Sequence, residues 1–386
     1  MTVRPIFPVS EYRDRLARAQ RGMARAGLDA LLLTTEPEVR YFSGFLTRFW
    51  ESPTRPWFLL LPRQGDPVAV IPTIGAHLMR QGWIADIRCW RSPDYDDDGV
   101  SLLAAALAEM VPPGGGIGVP SGAETHLRMP LADWRRLQAA LPDRHFGDDA
   151  GLLRRLRMVK SEAEITLIRT ACAVAGRAFD RVPEIARPGT PLSEVFRRFQ
   201  TLCLEEGADW VPYLAGGAAP GGYGDVISPA GDRPLAAGDV LMLDTGLVRD
   251  GYFCDFDRNW SLGPPAADVA EAHARLIEAV QAGFALARPG ARASDLFHAM
   301  DRVVTGGAGG NDAGRLGHGL GMQLTEPPSL IPADDTVLEP GMVLTLEPGV
   351  ELGPGRILVH EENIVSRAQG AQWLSPPQGP GIRVIG

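Results

Sequence analysis

The stretch VLMLDTGLVRDGYFCDFDRN, residues 240–259, sets two apolar runs on either side of Arg249, Asp250 and Gly251. Asp-Gly between runs of strand formers is a strong hairpin signal. If Asp250 and Gly251 form a two-residue loop, Asp244 stands opposite Asp257, and Gly246 opposite Asp255. Side chains alternate along a strand, so Asp244, Asp255 and Asp257 share one face. Three carboxylates that close repel one another, and burying them uncompensated is costly, a conflict that a bound cation removes. A hairpin with a solvated acidic face is the other reading of the same residues.

Three further residues bear on that choice. His318 sits in GRLGHGLGMQ (314–323), where glycines on both sides of the imidazole let backbone or ligand approach closely. Glu347 closes the apolar run MVLTLEPG (342–349), and Glu361 follows ILVH in the predicted strand RILVHEENIV (356–365). Acids on strands commonly face solvent, so each alone is weak evidence and the joint occurrence is what counts. Asp244, Asp255, His318, Glu347 and Glu361 together read as a dinuclear centre for two divalent ions. Four carboxylates and one imidazole form an oxygen-rich, fairly hard donor set, which points to Mn(II), Fe(II) or Co(II) ahead of Zn(II).

The order Asp, Asp, His, Glu, Glu and the local texts DTG, GHGLG, LEPG and HEEN resemble the creatinase, prolidase and methionine aminopeptidase superfamily. The resemblance extends to RLRMVKSEAEITLIRTACAVAGRAF (155–179), similar to the segment that enters the catalytic domain of its two-domain members. It also covers GLDALLLTTEPEVRYFSGF (27–45), similar to their smaller α/β domain. It implies an α+β chain with a creatinase-like N-terminal α/β domain over 1–155 and a pita-bread metallohydrolase domain over 156–386. It further implies that Asp255 and Glu361 bridge the ions, that Glu347 also handles a proton as general base, and that the protein is a homodimer.

With 386 residues and 45% apolar content the chain is long enough for two well-formed cores. A net charge of −9 leaves no basic stripe for nucleic acid to follow. No signal-like segment and no 18-residue apolar run is evident, so no membrane partner and a cytoplasmic location are expected. Cys89, Cys172, Cys203 and Cys254 are scattered without metal or disulfide spacing and read as reduced. Lys160 is the single lysine among 38 basic residues, and nothing in its surroundings suggests a mechanism.

Along the chain, ALLLTT, WFLLLPR and DPVAVIP read as strands, and SLLAAALAEM and LADWRRLQAAL as helices of an α/β unit. PDYDDDG (93–99) lacks the calcium-loop order and reads as a solvated loop; GGG (114–116) lacks a following Gly-Lys-Ser/Thr and reads as a turn. Ser161 and Glu164 form a predicted capping box that opens a helix to about Asp180. The Gly-rich stretch 214–235 is predicted to be a long irregular loop beside the site, and GGAGGND (306–312) a second flexible loop.

Two departures from the resembling peptidases bear on substrate. Thr325 stands where many carry a second histidine, and the loop before Asp244 lacks a further one; Tyr223, Asp225 and Thr325 occupy the vacated region. Asp257 stands where threonine is frequent and is an extra ligand, a partner to a ligand, or a proton acceptor. Glu347 and Asp257 are thus the candidate catalytic carboxylates, and Tyr223 and Thr325 candidate substrate contacts. His360 turns away from the metal face by alternation, Arg258 is expected to pair with surplus carboxylate, and Arg356 to do so or to meet a substrate carboxylate. In RFWESPTRPWF (48–58), Trp50 and Arg55 are specificity candidates by resemblance to a loop that reaches over the partner's site, or else packing residues. The leading expectation is a metal-dependent hydrolase of a peptide or amide bond in a small-molecule or short-peptide substrate, similar to Xaa-Pro peptidases. The alternatives are an ectoine hydrolase-like or sulfonium-propionate lyase-like enzyme and a catalytically silent binding module.

Overall fold

The computed structural model describes residues 6–52, 55–310 and 314–386, and the chain divides into two compact units, Met1–Arg157 and Met158–Gly386. The first unit is built on six short strands, β1 (Ala30–Leu33), β2 (Phe58–Pro62), β3 (Val68–Pro72), β4 (Asp86–Trp90), β5 (Gly116–Val119) and β6 (His145–Asp148). Their order is β4-β3-β2-β1-β5-β6, parallel except where β2 runs against β1 and β3. β1, β2 and β3 are buried along their whole length, which is why they read as continuous apolar runs and not as alternating ones. The helix Val9–Ala26 ends at Gly27, whose φ of 70° is the left-handed conformation that terminates helices.

The second unit opens on the helix Glu162–Asp180, and the capping box is formed: Ser161 Oγ accepts from the Glu164 amide at 3.3 Å and Glu164 Oε2 accepts from the Ser161 amide at 2.9 Å. Glu164 Oε1 also accepts from the Tyr252 hydroxyl at 2.9 Å, which ties the start of this helix to the hairpin turn. Two sheets follow. The first comprises β7 (Trp210–Pro220), β8 (Asp239–Arg249), β9 (Tyr252–Phe253) and β10 (Phe256–Leu262), with β18 (Arg383–Ile385) beside β10. The second orders β11 (His318–Gly319), β12 (Glu326–Ser329), β13 (Val343–Leu346), β16 (Glu362–Arg367) and β17 (Gly370–Trp373) as β12-β11-β13-β16-β17. β14 (Gly349–Gly353) and β15 (Arg356–Val359) make a separate hairpin.

Helices Glu162–Asp180 and Leu192–Glu205 pack on the first sheet through Phe179, whose ring centroid lies 5.0 Å from Phe199 and 5.1 Å from Phe256. Helices Ala267–Leu286 and Ala293–Val304 supply Leu276, Val280, Phe297 and Met300 to a core shared with Leu344, Leu346 and Ile364 of the second sheet. None of the helices among the described residues is long and apolar enough to cross a membrane.

Two expectations need correction. The stretch 214–235 is not all loop, because Leu214–Pro220 belongs to β7 and pairs with β8 from Asp239 to Thr245; the backbone bonds of a sheet outweigh the low strand propensity of glycine. RILVHEENIV is two strands, with His360 and Glu361 in the break between β15 and β16. Gly306 to Gly310 is irregular, and residues 311 and 312 of the second expected loop lie outside the described residues.

Lys160 has a structural role that its sequence context did not show. Its Nζ lies 3.0 Å from Glu326 Oε2 with both side chains buried, and Glu326 Oε1 accepts the amides of Met322 and Gln323, closing the loop after β11. Removing one partner strands a buried charge, so Lys160→Met is expected to cost about 3–5 kcal/mol in urea unfolding. A loss below about 1 kcal/mol, the range of an exposed pair, would contradict this role.

Candidate metal centre

The hairpin sets the site. Asp250 and Gly251 both adopt positive φ, 50° and 78°, as a two-residue type I′ turn requires. The register follows: Val248 pairs with Phe253, Thr245 with Phe256 and Asp244 with Asp257. Between β9 and β10 the Cys254 amide still donates across the hairpin to the Leu247 carbonyl at 3.1 Å, while the Asp255 amide donates to Asn363 Oδ1 at 2.9 Å, locking Asp255 to β16 of the second sheet.

That sheet brings the other residues. His318 begins β11, with its amide on Thr345 Oγ1 at 3.0 Å and its Nδ1 2.9 Å from the Gly319 carbonyl oxygen. A hydrogen bond to that carbonyl assigns the proton to Nδ1 and leaves Nε2 to face the carboxylates, 3.4 Å from Asp255 Oδ2 and 3.7 Å from Glu347 Oε2. Gly319 permits this approach, since a Cβ there would lie 2.2 Å from the Pro327 carbonyl oxygen. Single ligand atoms of Asp255, His318 and Glu361 lie within 4.8 Å of one another. Glu347 follows β13 and is less buried than its neighbours, its side chain 24% exposed against 5% for Asp255 and His318.

The electrostatics of this cluster call for a cation. Burial pushes the carboxyl groups of Asp244, Asp255 and Glu361 well above the usual range, and each is pushed further by its acidic neighbours, Asp257 acting on Asp244, Asp244 on Asp255, and Asp255 on Glu361. Burial raises Glu347 to about 7 against the pull of Arg315, and lowers His318 to about 4, which keeps its imidazole neutral as a metal ligand must be. Asp244 Oδ1, Glu361 Oε1 and both oxygens of Asp257 are buried without a hydrogen bond. Orphaned oxygens converging with one neutral imidazole fit divalent, oxygen-preferring ions.

All five residues line the floor of a cavity of about 690 Å³, with Asp257, Tyr213, Arg315 and Thr325. Val226, Ile227, Val304, Leu324, Val350 and Ile357 form its apolar wall. Tyr213 was missed from the sequence. It lies across from Gly246 in the β7–β8 pairing, hydrogen-bonds Asp244, and has its phenol pushed up by burial and by Asp244. The missing side chain at Gly246 is the local signal for the room that Tyr213 and Leu324 fill. Arg315, with Nε 4.0 Å from Glu347 Oε1, was also unmarked in the sequence reading.

Several candidates fall elsewhere. Tyr223 is 1% exposed in the core, donating to Asn259 Oδ1 at 3.0 Å and accepting from the Val359 amide at 2.7 Å, so it is neither a substrate contact nor a base. Asp225 folds back on the amides of Ile227 and Ser228. Arg356 pairs with Asp268 at 2.8 Å outside the cavity, whereas Arg258 meets a buried carboxylate as expected, Glu362 at 3.0 Å. His360 is off the cavity, as expected, but its Nδ1 lies 3.4 Å from Asp257 Oδ1. In the first unit Trp50 is 8% exposed, with the Arg128 guanidinium 5.2 Å above its ring and Trp57 at 5.8 Å, so it packs; Arg55 covers Phe49 at 5.0 Å. Residues 53 and 54 of that loop lie outside the described residues.

Known proteins resemble this chain over both of its units. Residues 166–369 match the model of metallopeptidase family M24, and residues 15–159 that of the creatinase/prolidase N-terminal domain. The chain is 32% identical over 367 residues to the probable dipeptidase PepE of Mycobacterium tuberculosis, covering 93% of this chain and 92% of that protein. It is 26% identical over 349 residues to an Xaa-Pro dipeptidase of Lactobacillus delbrueckii, covering 88% and 90%. Among solved structures, dipeptidase PepE from Mycobacterium ulcerans superposes with a TM-score of 0.84 at 29% identity, over 98% of this chain and 99% of that one.

A site that is destabilised by its own carboxylates should gain from ions. At a free Mn(II) concentration 100 times the dissociation constant, each site filled is expected to add about 2.7 kcal/mol. Differential scanning calorimetry of chelator-treated chain with and without Mn(II) reads this as a rise in Tm, and an unchanged Tm would count against the centre.

Proposed function

Because the chain belongs to metallopeptidase family M24, we propose that it hydrolyses the peptide bond of short peptides, with Xaa-Pro dipeptides as its substrates, using two divalent ions, Mn(II) first among them. The observation that carries this reading is the convergence of Asp244, Asp255, His318, Glu347 and Glu361 on the floor of one cavity. A cavity of about 690 Å³ suits a short peptide. Its apolar wall suits a compact apolar ring or side chain beside the bond to be cut.

Asp244, Asp255, His318, Glu347 and Glu361 would hold the ions. When bound, such ions lower the pKa of a shared water and polarise the scissile carbonyl. The protein's own residues do the rest. Glu347, more open than Asp255 and His318, takes a proton on a carboxylate oxygen on the attacking side and returns it to the leaving amine. Arg315, 4.0 Å from it, steadies its charge. Tyr213, bonded to Asp244, fixes that carboxylate from the β7 side. Leu324 and Ile357 exclude water beside the substrate.

A second reading, a non-peptide amide as substrate, is favoured by one observation. Among the described residues His318 is the only imidazole lining the cavity, and Thr325 holds a wall position. Mn(II)-loaded enzyme is therefore expected to release proline from a panel of Xaa-Pro dipeptides, and Glu347→Gln to lower kcat by roughly 10²–10⁴-fold with metal content retained. If fully loaded enzyme leaves every dipeptide intact yet opens small N-acylated amides, the second reading replaces the first.

A further inference from the structure

Behind the cavity floor runs a chain of buried charged side chains that none of the steps above uses. Asp257 stands directly across the β8–β10 ladder from Asp244, lines the cavity, is 1% exposed, and has neither carboxylate oxygen in a hydrogen bond. His360 lies on its far side with Nδ1 3.4 Å from Asp257 Oδ1, and with Nε2 3.1 Å from Glu362 Oε1. Glu362 is held in turn by Arg258 at 3.0 Å, by the Gln378 amide at 2.9 Å and by the Ser375 hydroxyl. His360, Glu362 and Arg258 are all at most 2% exposed.

We infer that Asp257 is a sixth metal-ligating side chain, and that His360, backed by Glu362 and Arg258, is the positioning residue that holds its carboxylate toward the ions. This rests on the metal-centre reading above and goes beyond its five ligands. His360 and the Glu361 amide both favour the charged form of Asp257, yet neither makes a well-formed hydrogen bond to it. Both carboxylate oxygens are buried, line the cavity and lie on the face that carries Asp244. Buried polar atoms are satisfied by some partner in nearly every protein, and here the cavity floor is the direction left open. The arrangement behind Asp257 has the form that orients metal ligands generally, in which a side chain holds the ligand from outside and further hydrogen bonds hold that side chain. The links from His360 to Glu362 and from Glu362 to Arg258 are short, enclosed and clamped by groups from β10, β16 and the segment 375–378, so the imidazole has little freedom to turn.

The test is Mn(II) binding to the metal-free full chain, followed by isothermal titration and by the EPR spectrum of the bound ion, with thermal melts confirming that each variant folds. Asp257→Asn keeps the shape of the side chain and is expected to weaken one of the two ions tenfold or more and to change its EPR spectrum; Asp257→Ser serves if the amide variant does not fold. His360→Ala is expected to weaken the same ion, and His360→Asn, whose amide nitrogen overlies imidazole Nδ1, to restore most of the affinity, which a space-filling role would not. In the Asp257→Asn background His360→Ala should add nothing. Unchanged binding by both Asp257 variants overturns the inference while leaving the five-ligand centre intact. A His360→Ala loss that persists without Asp257 overturns the positioning role, since it would then act through Glu361. Failure of the wild-type chain to bind Mn(II) at all overturns the metal-centre reading and this inference with it.

Discussion

Mutual repulsion among buried carboxylates is the constraint around which the second unit is organised. Asp244, Asp255, Asp257, Glu347 and Glu361 are brought together with a single lining imidazole in one cavity, three of them buried and the other two partly so. An arrangement of this kind persists only if the surrounding structure holds each group in place and a cation relieves the charge. The scaffold supplies the first of these. The type I′ turn sets the register of β8 and β10, Asn363 ties Asp255 to the second sheet, Thr345 and the Gly319 carbonyl orient His318, and Tyr213 holds Asp244.

The same surplus of charge explains why the layers behind the site are polar and not apolar. Asn259 and Asn363 are fully buried, and both are engaged, Asn259 with Tyr223 and the Val359 carbonyl, Asn363 with the Asp255 backbone and Cys172. A satisfied buried network rigidifies what it touches, whereas a loose one would let the carboxylates separate and the site dissolve. Arg258 and Glu362 form the deepest part of that network. Burial works against the charged form of Glu362, yet Arg258 and His360 hold its carboxyl down at about 2, so this pair stays ionised beneath a floor whose other acids are pushed upward.

Legibility of the site from sequence followed from how local each determinant is. The Asp250-Gly251 turn sits between two runs that pair with each other, and the facing of Asp244 and Asp257 follows from alternation alone. The five ligands were likewise readable, because each carries a local signature and their order resembles a known superfamily. Tyr223 was misplaced, whereas His360 was placed off the cavity but without its partner. Tyr223 lies in a Gly-rich stretch that looks solvated, but Val359 and Asn259, more than thirty residues away in sequence, draw it into the core. The strand carrying His360 breaks at His360 and Glu361, and its contact with Asp257, more than a hundred residues earlier, has no signal in its own neighbours.

What the amino-acid sequence determined by itself was the hairpin, the capped helix that opens the second unit, the two-part organisation and the identity of five side chains that converge on one cavity. These depend on turn chemistry, capping and periodicity, which act over a few residues and need no partner. The tertiary structure decided which groups surround those side chains. Tyr213 and Arg315 entered the cavity, Tyr223, Asp225 and Arg356 were kept out of it, and Lys160 found Glu326 across 166 residues of chain. Such choices turn on the pairing of strands distant in sequence and on the need of every buried charge for a counterpart. Neither can be read from the neighbours a residue has along the chain.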